Sequence, residues 1–287
     1  MEIGLTYRCQ LNCVHCGVYG QRDDSRSELS REEVFDLIDQ SYSLGIYFII
    51  FSGGEPLMRD EISDYVKHSV NRGIMAAVST NGLLLSKGVI LELKKSGISF
   101  INLSIDSADP AMHDKLRGLN GCFLKASQAI TDCVKVGIPV LVSTYATKEN
   151  IASRELEKII SFSRCIGASG VRVLLAARAG KWSNCLDLSL SEAEKEYLGS
   201  LLDPCYVYFE GVCNKFTECN AALKKLLYVS AYGDVQPCSF VPINFGNIRN
   251  DTLAGIWLRM SKNDFYSSLN ACECITRSKV FYDKLIV

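Results

Sequence analysis

Short apolar runs alternate with amphipathic segments through the first 175 residues of the chain. Each run is five or six residues long and rich in β-branched or aromatic side chains, which predicts buried β-strands. The predicted strands are Ile3–Tyr7, Tyr47–Phe51, Met75–Ser79, Phe100–Ile105, Val140–Thr144 and Val171–Leu175. These runs are near-continuously apolar, as expected of strands covered on both faces.

The segments between the runs have apolar positions at helical spacing. Ser30 and Glu33 form a capping-box pattern that opens an amphipathic helix. Further helices are predicted over residues 61–71, 87–95, 123–136 and 154–165. Repeated strand–helix units indicate an α/β fold with a parallel sheet, and six units fit an open, partial (β/α)6 TIM-like barrel.

The alternation breaks after about Ala179, which predicts two domains. Residues 1–180 would form the barrel, and residues 181–287 would form a smaller domain with little periodic structure. A turn at Gly233-Asp234 predicts a hairpin in the second part. A loop-rich segment of this size usually needs a metal or another cross-link for stability, and seven cysteines lie in it.

Composition narrows the classes of function. Lys and Arg total 31 against 32 Asp and Glu, a formal net charge of −1, which argues against a protein whose main task is binding nucleic acid. No apolar run approaches the ~20 residues of a membrane helix, and no signal-peptide pattern opens the chain. The 13 cysteines therefore indicate a cytoplasmic protein that uses thiols for metal binding or catalysis.

The first cysteine group directly follows the first predicted strand. Cys9, Cys13 and Cys16 have the spacing C-x3-C-x2-C. Three thiolates on one loop can hold three irons of a [4Fe–4S] cluster and leave the fourth iron open to a small molecule. Two alternatives are a zinc site with His15 as fourth ligand and three thiols without a metal.

Residues Tyr7 to Cys16 closely resemble the signature loop of the radical S-adenosylmethionine (radical SAM) enzymes, and further motifs follow in that family's order. The resemblance covers residues 3 to about 180. It implies a [4Fe–4S] cluster that binds S-adenosylmethionine (SAM) at its open iron. It also implies an external one-electron donor of flavodoxin or ferredoxin type, reductive cleavage of SAM to a 5′-deoxyadenosyl radical, and hydrogen abstraction from a substrate.

The same resemblance implies a set of SAM-contacting residues at the ends of successive strands. The segment Gly53-Gly54-Glu55-Pro56 would receive the SAM amino group, with Glu55 as an acceptor. The other residues implied are Ser79 and Asn81 on the methionyl side, Ser104 and Asp106 at the ribose, Arg117 of His113-Asp-Lys-Leu-Arg-Gly118 at the carboxylate, and Leu175 near the adenine.

The second cysteine group resembles a SPASM or twitch auxiliary-cluster domain. Cys219, Gly233 and Cys238 fit its C-x(9–15)-G-x4-C element, and a hairpin at Gly233 would bring the two cysteines together. The resemblance implies one auxiliary [4Fe–4S] cluster with Cys213, Cys219, Cys238 and one of Cys272 or Cys274 as ligands. A structural zinc site and unligated thiols remain alternatives.

Together the two resemblances imply an oxidative radical SAM enzyme whose auxiliary cluster accepts an electron from the substrate radical. Peptide maturation by cross-linking, epimerisation or dehydrogenation is the leading hypothesis. Only eight residues precede Cys9, which leaves no room there for a leader-peptide recognition domain and weakens that hypothesis. The alternatives are a small-molecule dehydrogenase of sugar or aminocyclitol type, a non-catalytic iron–sulfur electron carrier and a zinc-stabilised interaction protein.

Overall fold

A single sheet with helices packed on its outer face forms the centre of the protein. The computed structural model describes residues 1–185, 188, 190–210, 219–267, 274 and 276. Nine strands follow the order β7-β6-β5-β4-β3-β2-β1-β8-β9, and all neighbours are parallel except β8 and β9. The described strands do not close into a complete barrel, which confirms the predicted partial TIM-like fold.

The elements alternate along the chain as the sequence predicts. The strands are β1 Glu2–Thr6, β2 Phe48–Gly53, β3 Met75–Thr80, β4 Phe100–Ser104, β5 Val140–Ala146, β6 Gly170–Leu175, β7 Val207–Glu210, β8 Tyr228–Val229 and β9 Val235–Gln236. The helices are α1 Arg31–Ser43, α2 Ile62–Asn71, α3 Lys87–Lys95, α4 Pro110–Arg117, α5 Cys122–Lys135, α6 Lys148–Ala152, α7 Glu155–Cys165, α8 Glu192–Ser200, α9 Leu253–Lys262 and α10 Asp264–Ser267. Within the described ranges, none of these helices has the length and hydropathy needed to traverse a bilayer.

The sheet continues beyond the six predicted strands. Strand β7 adds to β6 in parallel, and β8 adds to the other side of β1, so residues after 180 extend the same sheet. Strands β8 and β9 form the predicted hairpin, and Gly233 adopts φ +86° in its turn. The hairpin therefore places the second cysteine region beside β1, the strand that leads into the first.

The two faces of the parallel strands differ in polarity. Side chains such as Ile3, Phe51 and Val78 point outward and are fully buried against the helices. The alternate positions point into the lumen of the partial barrel, and many are polar. The short apolar runs predicted strands that are apolar on both faces. This prediction is wrong for the face that lines the lumen.

Arg59 fixes the strand end from which the first cysteine loop begins. Its guanidinium is buried and donates hydrogen bonds to the carbonyls of Leu5 and Leu29, at 3.1 and 3.0 Å, and to the hydroxyl of Tyr65 at 2.9 Å. These bonds tie the end of β1 to the segment before α1. The loop that contains Cys9, Cys13 and Cys16 lies between those two points.

We expect Arg59→Met to lower the free energy of unfolding by about 2 kcal/mol, because three buried acceptors lose their donors. The matched control is Arg31→Met, since Arg31 forms an exposed pair with Asp64 at 2.9 Å and such pairs contribute about 0–1 kcal/mol. Thermal unfolding of both variants measures the difference. Equal midpoints would contradict the role given to Arg59.

Candidate active site

The loop of Cys9, Cys13 and Cys16 lies at the carboxyl end of β1 and is attached to the neighbouring strand end by backbone hydrogen bonds. Gly54 donates to the Thr6 carbonyl at 2.7 Å and Glu55 donates to the Arg8 carbonyl at 2.9 Å. A Cβ atom on Gly54 would lie 2.3 Å from the Arg8 oxygen. The paired glycines are therefore needed for the close approach of the two backbones.

The other side of the loop is attached to α4 and to the segment after β6. Val14 donates to the Leu116 carbonyl at 2.9 Å, and Lys181 donates its backbone N–H to the Cys16 carbonyl at 3.0 Å. Gly180 adopts φ +53°, and a Cβ there would lie 2.0 Å from the Cys16 oxygen. Three separate chain segments thus hold the cysteine loop in place.

Two of the three thiols face donors that suit sulfur carrying negative charge. The Leu11 N–H points at the Cys9 sulfur at 3.4 Å, and the Asn81 amide lies 3.8 Å from the same atom. The Arg117 guanidinium lies 3.8 Å from the Cys13 sulfur. Burial raises the pKa of Cys9 to about 11, and binding of a metal at this sulfur requires the deprotonated thiolate.

His15 is engaged elsewhere and does not complete a zinc site with these cysteines. Its Nε2 lies 3.1 Å from Asp106 Oδ2, and its ring packs against those of Tyr145 and Trp182, with centroids 5.0 and 5.7 Å away. In the described part of the chain, no set of three His, Cys, Asp or Glu side chains surrounds a single-ion position. The arrangement fits a cluster bound by three thiolates better than one tetrahedral ion.

Asp106 forms a buried ionic group with Arg117. Arg117 Nε lies 2.5 Å from Asp106 Oδ2, and the backbone N–H of Asp106 donates to His113 Nδ1 at 3.1 Å. Burial opposes ionisation of Asp106, but the charges of Arg117 and His15 outweigh it and hold the pKa of the carboxyl below its usual range. Arg117 therefore contacts both Asp106 and Cys13, and it joins the predicted ribose position to the cysteine loop.

Glu55 is fully buried, and its carboxylate already has three donors. Thr80 Oγ1 donates to it at 2.6 Å, and the backbone N–H groups of Asn81 and Leu57 donate at 2.9 and 3.2 Å. Burial raises its pKa, and these hydrogen bonds oppose that shift. In this geometry the Glu55 side chain connects the loop after β2 to the end of β3.

A cavity of about 510 Å³ opens beside the cysteine loop and continues into the lumen of the partial barrel. The sequence-predicted residues that line it are Cys9, Cys13, Cys16, Gly53, Gly54, Ser79, Asn81, Ser104, Arg117 and Cys238. Six others among the described residues, Glu55, Pro56, Asp106, Leu175, Cys219 and Cys274, do not line it. At the end of β6 the lining side chain is Leu174, because Leu175 faces the opposite side of the strand.

Sequence reasoning missed the polar residues of the lumen. Glu2, Ser143, Tyr145 and Arg172 all line the cavity. They occupy inward positions of β1, β5 and β6. The signal that could have found them is their alternation with outward apolar residues, as in Val171, Arg172 and Val173.

The second cysteine group lies next to the same cavity. Cys219 and Cys238 both pack against the buried pair Ala221 and Val241. Burial raises the pKa of Cys238 well above its usual range, and the nearby Glu2, Cys274 and Cys219 raise it further. Cys213 and Cys272 lie outside the described residues. The structure thus brings Cys219, Cys238 and Cys274 together beside the cavity that Cys238 lines.

Comparison with protein families gives two matches along the chain. Residues 3–162 match the model of the radical SAM superfamily, which covers more than half of the sequence. The chain belongs to the radical SAM superfamily. Residues 219–275 match the SPASM model, an iron–sulfur cluster-binding domain. Both resemblances stated from the sequence are confirmed, and the cofactors are SAM and [4Fe–4S] clusters.

Individual relatives of this radical SAM protein differ in substrate. An AdoMet-dependent heme synthase of Methanosarcina barkeri is 28% identical over 281 residues, which cover 88% of this chain and 80% of that protein. A PqqA peptide cyclase of Granulibacter bethesdensis is 24% identical over 271 residues, which cover 88% and 72%. Their shared similarity to this chain supports an enzyme of this family without fixing its substrate.

A solved structure shows the same fold at low sequence identity. Streptococcus suis SuiB, bound to its precursor peptide SuiA, aligns with a TM-score of 0.74 at 16% identity. The alignment covers 97% of this chain and 72% of SuiB. The fold of this radical SAM protein therefore extends over both the barrel and the cysteine-rich region.

Proposed function

We propose that this chain is a radical SAM oxidoreductase that modifies a peptide. When bound, the first cluster and SAM supply a radical that abstracts hydrogen from the substrate. Cys9, Cys13 and Cys16 would hold that cluster, because all three line one end of the cavity. His15, the fourth ligand of the alternative zinc site, is instead engaged by Asp106. The peptide would enter the polar lumen that lies between the two cysteine groups.

The second cluster would be held by Cys219, Cys238 and Cys274, with Cys213 or Cys272 as a further ligand. Cys238 lies on the cavity wall, so a cluster bound to it would be a short distance from a substrate in the cavity. This position supports a role for the second cluster as acceptor of an electron from the substrate. A peptide-bound radical that loses this electron ends as an oxidised product. An external one-electron carrier would take this electron from the second cluster and supply one to the first, so that both would be restored for the next turnover.

The charge of the cavity is the observation that favours a peptide over a tetrapyrrole. Three arginines line the cavity in the described part of the chain, and each faces a carboxylate: Arg22 lies 2.7 Å from Asp24, Arg117 lies 2.5 Å from Asp106, and Arg172 pairs with Glu210. A tetrapyrrole bearing several carboxylates needs cations that are not already paired. A peptide substrate does not have to carry several carboxylates, and both PqqA peptide cyclase and the SuiB–SuiA complex involve peptides.

The sequence similarity to heme synthases makes an iron-porphyrin the rival substrate, and a direct competition separates the two. Anaerobically reconstituted protein would be incubated with dithionite, SAM and either iron-coproporphyrin III or synthetic peptides encoded beside the gene. Mass spectrometry would measure 5′-deoxyadenosine and the mass change of each substrate. A peptide that loses two mass units with matching 5′-deoxyadenosine supports the proposal, and turnover of the porphyrin alone would refute it.

We expect Cys238→Ser to remove one cluster and leave the other. Reconstituted wild-type chain should bind about eight irons, and the variant about four, because each cube holds four irons and needs its thiolates. Iron analysis with electron paramagnetic resonance of the reduced protein measures the loss. Cys205→Ser is the control, since Cys205 is exposed and does not line the cavity. A Cys238→Ser chain with eight irons would contradict the ligand assignment.

A further inference from the structure

Three charged side chains line the lumen from β1, β6 and β7, and only two of them form an ion pair with each other. Arg172 on β6 forms an ion pair with Glu210 on β7. Glu2 on β1 lines the same lumen, where burial raises the pKa of its carboxyl and the hydrogen bond from Ser52 and the charge of Arg172 oppose that shift. Of the two carboxylates, only Glu210 is paired with the guanidinium.

Glu2 is held in place by hydroxyl groups. Ser52 donates to one carboxylate oxygen at 2.7 Å, and Ser239 donates to the other at 3.2 Å. Each oxygen has a second lone pair, so the carboxylate can accept further hydrogen bonds from the cavity side. Among the described residues, no ion pair joins Glu2 to a cation. A carboxylate enclosed in this way is stabilised by an incoming positive charge.

Asn102 is a second, independent indication that the lumen binds a ligand with a hydrogen-bond donor. Its side chain lies on the cavity wall with only 2% of the residue exposed, and its amide nitrogen donates to Ser79 Oγ at 3.2 Å. Its Oδ1 atom has no donor in the described part of the chain. A buried carbonyl oxygen without a donor is costly, so a bound ligand with N–H groups would relieve it.

Asn102 and Glu2 belong to one polar band across the sheet. Ser79 pairs with Asn102 in the register of β3 and β4. Phe51 pairs with Val78, so Ser52 and Ser79 follow side by side. Ser52 in turn donates to Glu2. The band therefore runs from the Asn102 side chain to the Glu2 carboxylate, and both residues line the cavity.

We propose that the lumen floor, formed by Glu2, Asn102 and the Arg172–Glu210 pair, is a binding subsite for a substrate group that carries an ammonium or guanidinium charge. On a peptide this group would be a lysine or arginine side chain or an amino terminus. The assignment rests on the proposed peptide-modifying function for its biological meaning. The cation preference itself is a property of the cavity and can be tested without turnover.

The test uses reconstituted full-length protein and three probes of equal length: n-butylammonium, n-butanol and butyrate, at constant ionic strength. Ligands that bind the folded state raise the unfolding midpoint in a saturable manner. We expect n-butylammonium to do so, n-butanol to have a small effect and butyrate none. Equal stabilisation by all three probes, or by n-butanol and n-butylammonium alike, would overturn the proposal.

Two substitutions in the subsite should act in opposite directions. Glu2→Gln should weaken n-butylammonium binding by about tenfold or more, because the unpaired carboxylate is lost. Glu210→Gln releases Arg172 and should make butyrate stabilising. Glu157→Gln on α7 is the control, since Glu157 forms an exposed pair with Arg154 at 3.1 Å and lies outside the cavity.

The outcomes separate this proposal from the proposed function. Iron content and far-ultraviolet circular dichroism report whether each variant folds and binds its clusters. If Glu2→Gln fails to fold, the wild-type probe series and Glu210→Gln still decide the result. Unchanged n-butylammonium binding in a folded Glu2→Gln chain refutes the cation subsite. Failure to modify any peptide would refute the proposed function and leave the measured charge preference standing.

Discussion

Replacing Cys9 with serine is expected to lower release of 5′-deoxyadenosine from SAM to less than about one-thousandth of the wild-type rate, and to remove about four of about eight irons. Serine oxygen is a poor ligand for a cluster iron, and the loop offers no substitute, since Asp106 and two aromatic rings engage His15. Cys13→Ser and Cys16→Ser should have the same effect. Anaerobic assays with dithionite, together with iron analysis, measure both quantities.

The control is Cys165→Ser at the end of α7. Cys165 is exposed and outside the cavity, so its variant should keep both the iron content and the rate. A Cys9→Ser chain that still binds about eight irons and releases 5′-deoxyadenosine would contradict the assignment of the first cysteine loop. The pair of variants also distinguishes loss of a ligand from general loss of thiols.

The elements that the sequence predicted correctly depend on local patterns. The capping box at Ser30 is present, with the Ser30 side chain accepting from Glu33 N–H. Gly233 adopts a positive φ in the turn of the predicted hairpin, and glycine takes up that conformation without steric strain. The strands match because β-branched runs between turn residues have few other stable arrangements. Such signals lie within a few residues of one another and need no knowledge of distant partners.

The polarity of the lumen could not be predicted in the same way, because it depends on contacts between distant segments. Glu2 contacts Ser239, which is 237 positions away, and Arg172 pairs with Glu210 across two strands that the helix α8 and its flanking segments separate. Serine and alanine also interrupt hydrophobic runs only weakly, so inward positions of β3 and β5 looked continuous with the outward ones. Alternation becomes visible once the lumen side of each strand is known.

Motifs predicted which strand ends surround the cavity but did not give the direction of the side chains there. Asp106 and Glu55 follow strand ends as the family resemblance implied, yet both carboxylates are bonded to neighbouring protein groups and neither lines the cavity. Adjacent residues of one strand point to opposite faces, so a shift of one position separates Leu174 from Leu175. Spacing in a sequence fixes the strand end, whereas the local backbone fixes which atoms face the ligand.

The close contact between the paired-glycine segment and the cysteine loop should make Gly54→Ala strongly destabilising. The added methyl group would lie 2.3 Å from the Arg8 oxygen, and both neighbouring atoms within 3 Å also belong to backbone, so a rotamer change cannot relieve it. The backbones must separate, which breaks the bonds from Gly54 to Thr6 and from Glu55 to Arg8. We expect a loss of about 3 kcal/mol, or about 6–12 °C in unfolding midpoint.

Gly88→Ala in α3 is the matched control for this effect. A Cβ at Gly88 meets only the Ser86 hydroxyl, at 3.8 Å, and alanine is the better helix former, so this variant should gain up to about 1 kcal/mol. Thermal unfolding and iron analysis of the two variants compare the same chemical change in two settings. Because Gly54 holds the loop that precedes Cys9, its variant should also lose iron from the first cluster. Matching midpoints and iron contents for the two variants would show that the close approach does not position the cysteine loop.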